Sequence, residues 1–183
     1  GRQGGKATPA NAVSQTVLSG INSIDFPHVF AAKEEMRSWK LLQLNPQALR
    51  TPTRQDLGIR DTITTSGENL AAALHRLKGH DEYALKEISR RLNNLLPNLT
   101  EVEVYDDKAN RQFIIKIRNE DGREFSSRVL SEGTLRLLTL CLFQFDEAHK
   151  GLICFEEPEN GIHPFRLRAM VELLKDLSVD FTN

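Results

Sequence analysis

The chain has 183 residues, enough for one domain, or one lobe of a larger one, to bury a core. Its 24 Lys and Arg against 25 Asp and Glu leave a net charge of −1, which excludes a bulk pull toward nucleic acid or anionic lipid, though not a local basic patch. Hydrophobic residues at 39% and charged residues at 27% are ordinary for a globular protein, no apolar run spans a bilayer, and no signal-peptide pattern opens the chain.

Cys141 and Cys154 lie in apolar runs without metal-ligand spacing, so two reduced, buried thiols in a cytoplasmic protein are expected. The chain starts at Gly1 rather than Met, which suggests an excised piece.

Residues 1–10 are Gly-rich and polar and read as a flexible segment. Gly4-Gly5-Lys6 fails as a phosphate loop: no glycine lies five residues before Gly5, Ala7 follows the lysine, and no strand precedes it. From 11 to 100 the chain is mainly helical. Val13, Val17, Leu18 and Ile21 have helical spacing within 11–23, and a second helix is predicted over Pro27 to Trp39, with Val29, Phe30, Met36 and Trp39 as core contacts.

Lys40 to Leu44 reads as a short strand ended by Asn45-Pro46, and Thr51 to Thr65 as a connection; Arg50 beside it and Arg54 and Arg60 on it read as a solvated surface, with a phosphate contact as the unsupported alternative. Two more helices follow. Leu70, Ala73, Leu74 and Leu77 face one way over Asn69 to Lys78, and Leu85, Ile88, Leu92, Leu95 and Leu96 do so over Asp81 to Leu96, where Pro97 stops the pattern.

From 101 the period changes to two. Val102 and Val104 alternate with charged residues, Phe113, Ile115 and Ile117 repeat the pattern, and Asp121-Gly122 turns the chain toward Phe125, Ser127 and Val129. An antiparallel meander with one buried face is expected. Its acidic residues outnumber its basic ones, so charge does not support nucleic-acid binding, which stays possible only through a local patch.

The candidate chemistry is gathered between Leu130 and Pro164. Ser131 stands where a helix begins and can cap it, and Leu135, Leu138, Leu142 and Phe143 supply the buried stripe. Gly133, lacking a Cβ, would let an anion approach the free amides, with Ser131 and Thr134 adding hydroxyl donors. The plain alternative is a capped helix start.

Gly151 to Phe155 is an apolar run of the kind a fully buried parallel strand needs. Glu156 and Glu157 follow at its carboxyl end, where open α/β sheets bind ligands. Adjacent strand residues point to opposite faces, so divided labour is expected: one carboxylate on Mg²⁺, the other positioning water. Two solvated glutamates are the plain alternative. Glu159-Asn160-Gly161 forms a turn, His163 enters the last helix as a structural residue, and Leu167, Met170, Val171 and Leu174 give that helix its buried face. His28, His75, His80 and His149 have no partners that suggest chemistry.

These motifs in this order resemble the ATPase heads of the ABC class, nearest to the RecF/SMC-like ATPases called AAA-family or AAA_21. The resemblance runs roughly from Trp39 to the end. It implies an α/β P-loop NTPase fold, here the C-terminal lobe of a head, with 101–183 holding the meander, signature helix and Walker B segment. Leu130-Ser131-Glu132-Gly133-Thr134 is similar to the signature motif, which would put Ser131, Gly133 and Thr134 on the γ-phosphate of ATP bound to a partner head. Leu152 to Glu157 is similar to Walker B, with Glu156 at the Mg²⁺ position and Glu157 at the catalytic, water-activating one. Glu159, Asn160 and Gly161 fall in the D-loop, and Gly67-Glu68-Asn69-Leu70 resembles a G-x-N-L stretch that precedes the signature.

The departures are Glu132 in place of a small residue, Glu156 in place of Asp, and the absence of a Walker A lysine loop and of a switch histidine. The implied protein is a homodimeric, Mg²⁺-dependent ATPase without a membrane segment. This chain would be a fragment inactive alone, awaiting the Walker A lobe of the same protein. Two other classes remain open: a metal-dependent nuclease using Glu156, Glu157 and Glu159, and a non-catalytic interaction module.

Overall fold

Alternating apolar residues lay down the larger sheet. In β3 (Leu99–Asp107) Val102 and Val104 are buried, and in β4 (Gln112–Asn119) Phe113, Ile115 and Ile117 are. The antiparallel register sets Val102 opposite Ile117 and Val104 opposite Ile115, so the apolar side chains share one face. The computed structural model describes residues 16–21, 26–55, 62–149 and 151–178. The segment 1–10, the Gly4-Gly5-Lys6 stretch, Val13 and Arg60 lie outside the described residues.

β4 is paired along both edges. β3 runs along one, while β2 (Thr53–Arg54) and β5 (Glu124–Ser126) share the other. The turn from β4 to β5 forms at the expected place, with Gly122 at φ +79°. The expected third alternation does not continue. Phe125 and Val129 are exposed, because β5 pairs for three residues only and the chain then winds into a 3-10 turn, Ser127–Val129.

The helices form where their periodicity places them. α3 (Leu70–His80) and α4 (Ala84–Leu95) pack on the sheet through Leu74, Leu77, Leu85, Ile88 and Leu92. Ser89 of α4 fastens the layers: its hydroxyl donates to the Leu85 carbonyl (2.6 Å) and accepts the Val102 amide (2.8 Å). α5 (Glu132–Phe145) is buried without interruption from Leu135 to Phe143, with α3, α4 and α6 (Leu167–Ser178) around it. A helix apolar on every side belongs inside a protein.

α1 (Pro27–Ser38) and α2 (Pro46–Arg50) complete the set. α2 was not expected: Asn45 does not simply end a strand but caps this helix, its Oδ1 accepting the Gln47 and Ala48 amides. α1 forms as predicted, but its expected core contacts do not. No residue of α1 is buried, and Met36 and Trp39 are 48% and 45% exposed. The helix leans on the 3-10 turn Val17–Gly20, the described part of the expected 11–23 helix, and not on the core. In α6 the buried residues are Met170 and Leu173, with Val171 turned outward.

The second sheet is a parallel pair, β1 (Lys40–Leu42) beside β6 (Ile153–Phe155). Leu42 is buried against the core, while Leu41 and its register partner Cys154 face solvent. The fully buried strand and the two buried thiols expected here are therefore corrected. β6 has one strand neighbour among the described residues and one covered face. Cys141 is buried, and burial pushes its thiol up to about 12.

At the carboxyl end of α5, buried Asp146 forms an ion pair with Arg76, and His149 Nε2 lies 3.4 Å from Asp146 Oδ2. His149 packs edge-on against Phe143, and neither ring nitrogen makes a hydrogen bond. Burial, aided by the charges of Lys40 and Arg76 and opposed by Asp146, holds this imidazole down to about 4. His149 therefore has charged neighbours but no hydrogen-bond partner. Among the described residues no helix is long and apolar enough to cross a membrane.

Candidate functional site

The amino end of α5 is set by short-range chemistry. Ser131 Oγ accepts the Thr134 amide (3.2 Å), satisfying one of the unpaired N–H groups of the first turn, and lies 2.8 Å from Thr134 Oγ1. Arg50, expected in solvent, donates from Nε to the Leu130 carbonyl (3.1 Å) and ties this entry to α2. In the G-x-N-L stretch, buried Asn69 accepts the Thr64 amide (2.8 Å) and donates to the Thr62 carbonyl, an internal loop brace.

Gly133 is buried, and its missing Cβ serves a different purpose from the one expected. A Cβ there would lie 2.4 Å from the Gly161 carbonyl oxygen, and one on Gly161 would lie 2.8 Å from Glu132 Cγ. The helix start and the 159–161 turn touch backbone to backbone. The space an anion was expected to use on this side is filled by the turn.

Glu132 does not leave a bare negative charge at the helix start. Its Oε1 lies 2.9 Å from Arg136 Nε and 2.8 Å from Arg136 Nη2, one helical turn on. The Arg136 side chain is only 4% exposed, and it reaches two further elements: Nη1 donates to the Glu157 carbonyl and Nη2 to the Leu44 carbonyl, each at 3.2 Å. Sequence reasoning passed over this residue. The signal was an arginine inside an apolar helix, four residues after a glutamate, since a buried guanidinium requires partners.

Pairing with β1 continues one residue past β6, where the Glu156 amide donates to the Leu42 carbonyl (2.9 Å). Glu157 then turns into the left-handed region at φ +45°, unusual for a non-glycine residue. Its carbonyl accepts the Asn160 amide (3.1 Å), and Asn160 Nδ2 lies 3.5 Å from Glu157 Oε2. Strand alternation was expected to send Glu156 and Glu157 to opposite faces. Because β6 ends at Phe155 and Glu157 leaves extended geometry, both line one cleft.

That cleft has a volume of about 370 Å³ and opens beside the carboxyl ends of the parallel pair. Glu132, Arg136, Glu156, Glu157 and Asn160 line it, together with Gln43 and Asn45. Ser131, Thr134 and Glu159 are not among its described lining residues. The exposed carboxylates of Glu156 and Glu157 suit a hard divalent cation, because Mg²⁺ keeps several waters and needs only one or two carboxylates with phosphate oxygens. Among the described residues no three His, Cys, Asp or Glu side chains converge as a closed metal cage. His163 caps the 3-10 turn Pro164–Arg166, Nδ1 accepting the Phe165 amide (3.4 Å), as a structural histidine should.

A larger cavity of about 610 Å³ lies between α2, β2 and the start of α3. Two of its polar side chains are engaged within the loop: Thr53 Oγ1 donates to the Glu68 carbonyl (3.3 Å), and Asn69 accepts the Thr64 amide. It contains no candidate carboxylate pair, so size alone does not make it the site.

The AAA_21 family model, described as "AAA domain, putative AbiEii toxin, Type IV TA system", matches residues 10–179. No curated protein and no solved structure matches the chain.

Proposed function

The chain belongs to the AAA_21 family, and from that premise we propose that it supplies the metal-holding and water-activating half of an ATP-hydrolysing head of the ABC, RecF and SMC kind. The family is one of nucleotide-binding, ATPase-like domains. The observation that supports the finer assignment is the shared cleft of Glu156 and Glu157 at the carboxyl end of a parallel strand pair, the end at which such sheets take ligands.

In this mechanism Glu156 would hold Mg²⁺, directly or through water, and the ion would supply charge to offset what develops on the phosphate oxygens. Glu157 would orient the attacking water from its carboxylate and accept its proton as the water oxygen bonds to the γ-phosphorus and the bond from that phosphorus to the β–γ bridging oxygen breaks, releasing ADP. Asn160 stands beside Glu157 and limits where that carboxylate can turn.

Ser131 and Thr134, at the capped end of α5 and away from this cleft, would meet the γ-phosphate of a nucleotide bound to a second head. Gly133 would serve them by letting the helix start close on the 159–161 turn, which would lie at the head-to-head contact. The phosphate-gripping lysine loop would come from a lobe outside these residues. A nuclease that also used Glu159 gains no support, since that carboxylate is not among the cleft's described lining.

The test is ATP turnover by the complete protein. Glu157→Gln should lower kcat by about 10²- to 10⁴-fold while nucleotide-dependent dimerisation persists. Unchanged turnover would overturn the assignment.

A further inference from the structure

We infer that Arg136 is the positioning residue for Glu157, an inference that rests on the role just proposed for that carboxylate. Burying a cation is costly unless its donors are met, and Arg136 meets three acceptors on three elements: Glu132 on its own helix, the Leu44 carbonyl after β1, and the Glu157 carbonyl after β6. A lysine could not span them, because only the planar guanidinium holds several donors in fixed directions.

The bond to Glu157 matters most, because it falls on a residue in left-handed backbone. Such a conformation costs energy for any side chain with a Cβ and persists only where its surroundings hold it. The Glu157 carbonyl has two donors, the Asn160 amide and Arg136 Nη1. With the guanidinium gone, the turn's own amide is left to hold it, and Glu157 is free to relax toward right-handed backbone. That relaxation swings the carboxylate away from Glu156. The arginine, itself in the wall of the cleft, thus fixes the second acid through the Glu157 peptide. Because Arg136 sits on α5, one turn beyond Ser131, it also makes the Glu157 peptide follow the helix whose start carries the signature residues.

The experiment compares wild type, Glu157→Gln and Arg136→Lys in the complete protein. Arg136→Lys keeps the charge beside Glu132 but loses the fork. It should lower the melting temperature and, assayed well below it, lower kcat for ATP hydrolysis about 10²-fold with KM for ATP within about twofold. Turnover that needs Glu157 but survives Arg136→Lys overturns the positioning role alone. A wild type without turnover, or one indifferent to Glu157→Gln, overturns the role of Glu157 and this inference together.

If Arg136→Lys does not fold, ¹⁵N NMR of the wild-type guanidinium decides. Distinct Nη signals with slowed rotation support a group held on three sides, and one averaged signal overturns it.

Discussion

β4 is paired along both edges, with α3 and α4 packed on its sheet, whereas β6 has β1 alone beside it among the described residues and leaves Cys154 in solvent. The difference follows from strand direction. An antiparallel sheet tolerates one wet face and gains its stability from cross-strand pairs such as Val102 with Ile117. A parallel pair of three residues each has little of its own, since two strands are marginal without packing. β1 and β6 are held through buried Leu42 and through Arg136, both of which lead back to the α5 core. The acidic cleft therefore stands on a part of the molecule with little support of its own. Sites that must bind and release ligands are commonly drawn from such regions.

The contrast can be broken at its strong end first. Ile117→Ala removes a fully buried side chain from the middle of the larger sheet and should cost about 2–5 kcal/mol in urea unfolding, whereas Leu41→Thr, at a position 53% exposed, should stay within about 0.5 kcal/mol. Equal losses at the two positions would mean that the open face of β1 is covered in solution.

A smaller effect is expected at the seam between helix start and turn. Gly133→Ala sets a methyl group 2.4 Å from the Gly161 carbonyl and should destabilise by about 1–3 kcal/mol, with amide shifts in residues 159–162 by NMR. An unperturbed turn would show that the close approach has slack.

The last effect is a pH dependence, centred on the residues that follow α5. His149, held to about 4 by burial, binds its proton less readily when folded than when unfolded. Its contribution is present above the unfolded value of 6.5 and is lost as pH falls toward about 4. The melting temperature should drop over that window, and His149→Gln should flatten the drop. The groups that face this ring are Asp146, Lys40, Arg76 and Phe143, so a slope unchanged in the variant would assign the effect to the Asp146 cluster instead.

Local periodicity made α3, α4, α5 and the β3–β4 hairpin legible, because each is specified by residues within a few positions of one another. The Ser131 cap and the Gly122 turn belong to the same class. α2 was missed because five residues carry no usable period, although Asn45-Pro46 is a helix-start signal.

Exposure was read least well. Met36, Trp39, Leu41 and Cys154 look like core residues in sequence, but burial depends on what stands opposite, and a one-dimensional pattern does not contain that. The candidate site was half legible. The two glutamates stand out at a strand end, but the left-handed turn that brings them to one cleft arises from contacts between distant positions, Arg136 with Glu157 and Gly133 with Gly161.

The backbone at Glu157 suits glycine better than glutamate, since glycine carries no Cβ into left-handed space. A redesign guided by heat resistance alone would pick this exposed position early, as a cheap improvement with no core to repack. It would then delete the second acid of the cleft. Thermostabilised libraries of this chain should be filtered for a carboxylate at 157 before they are ranked by melting point.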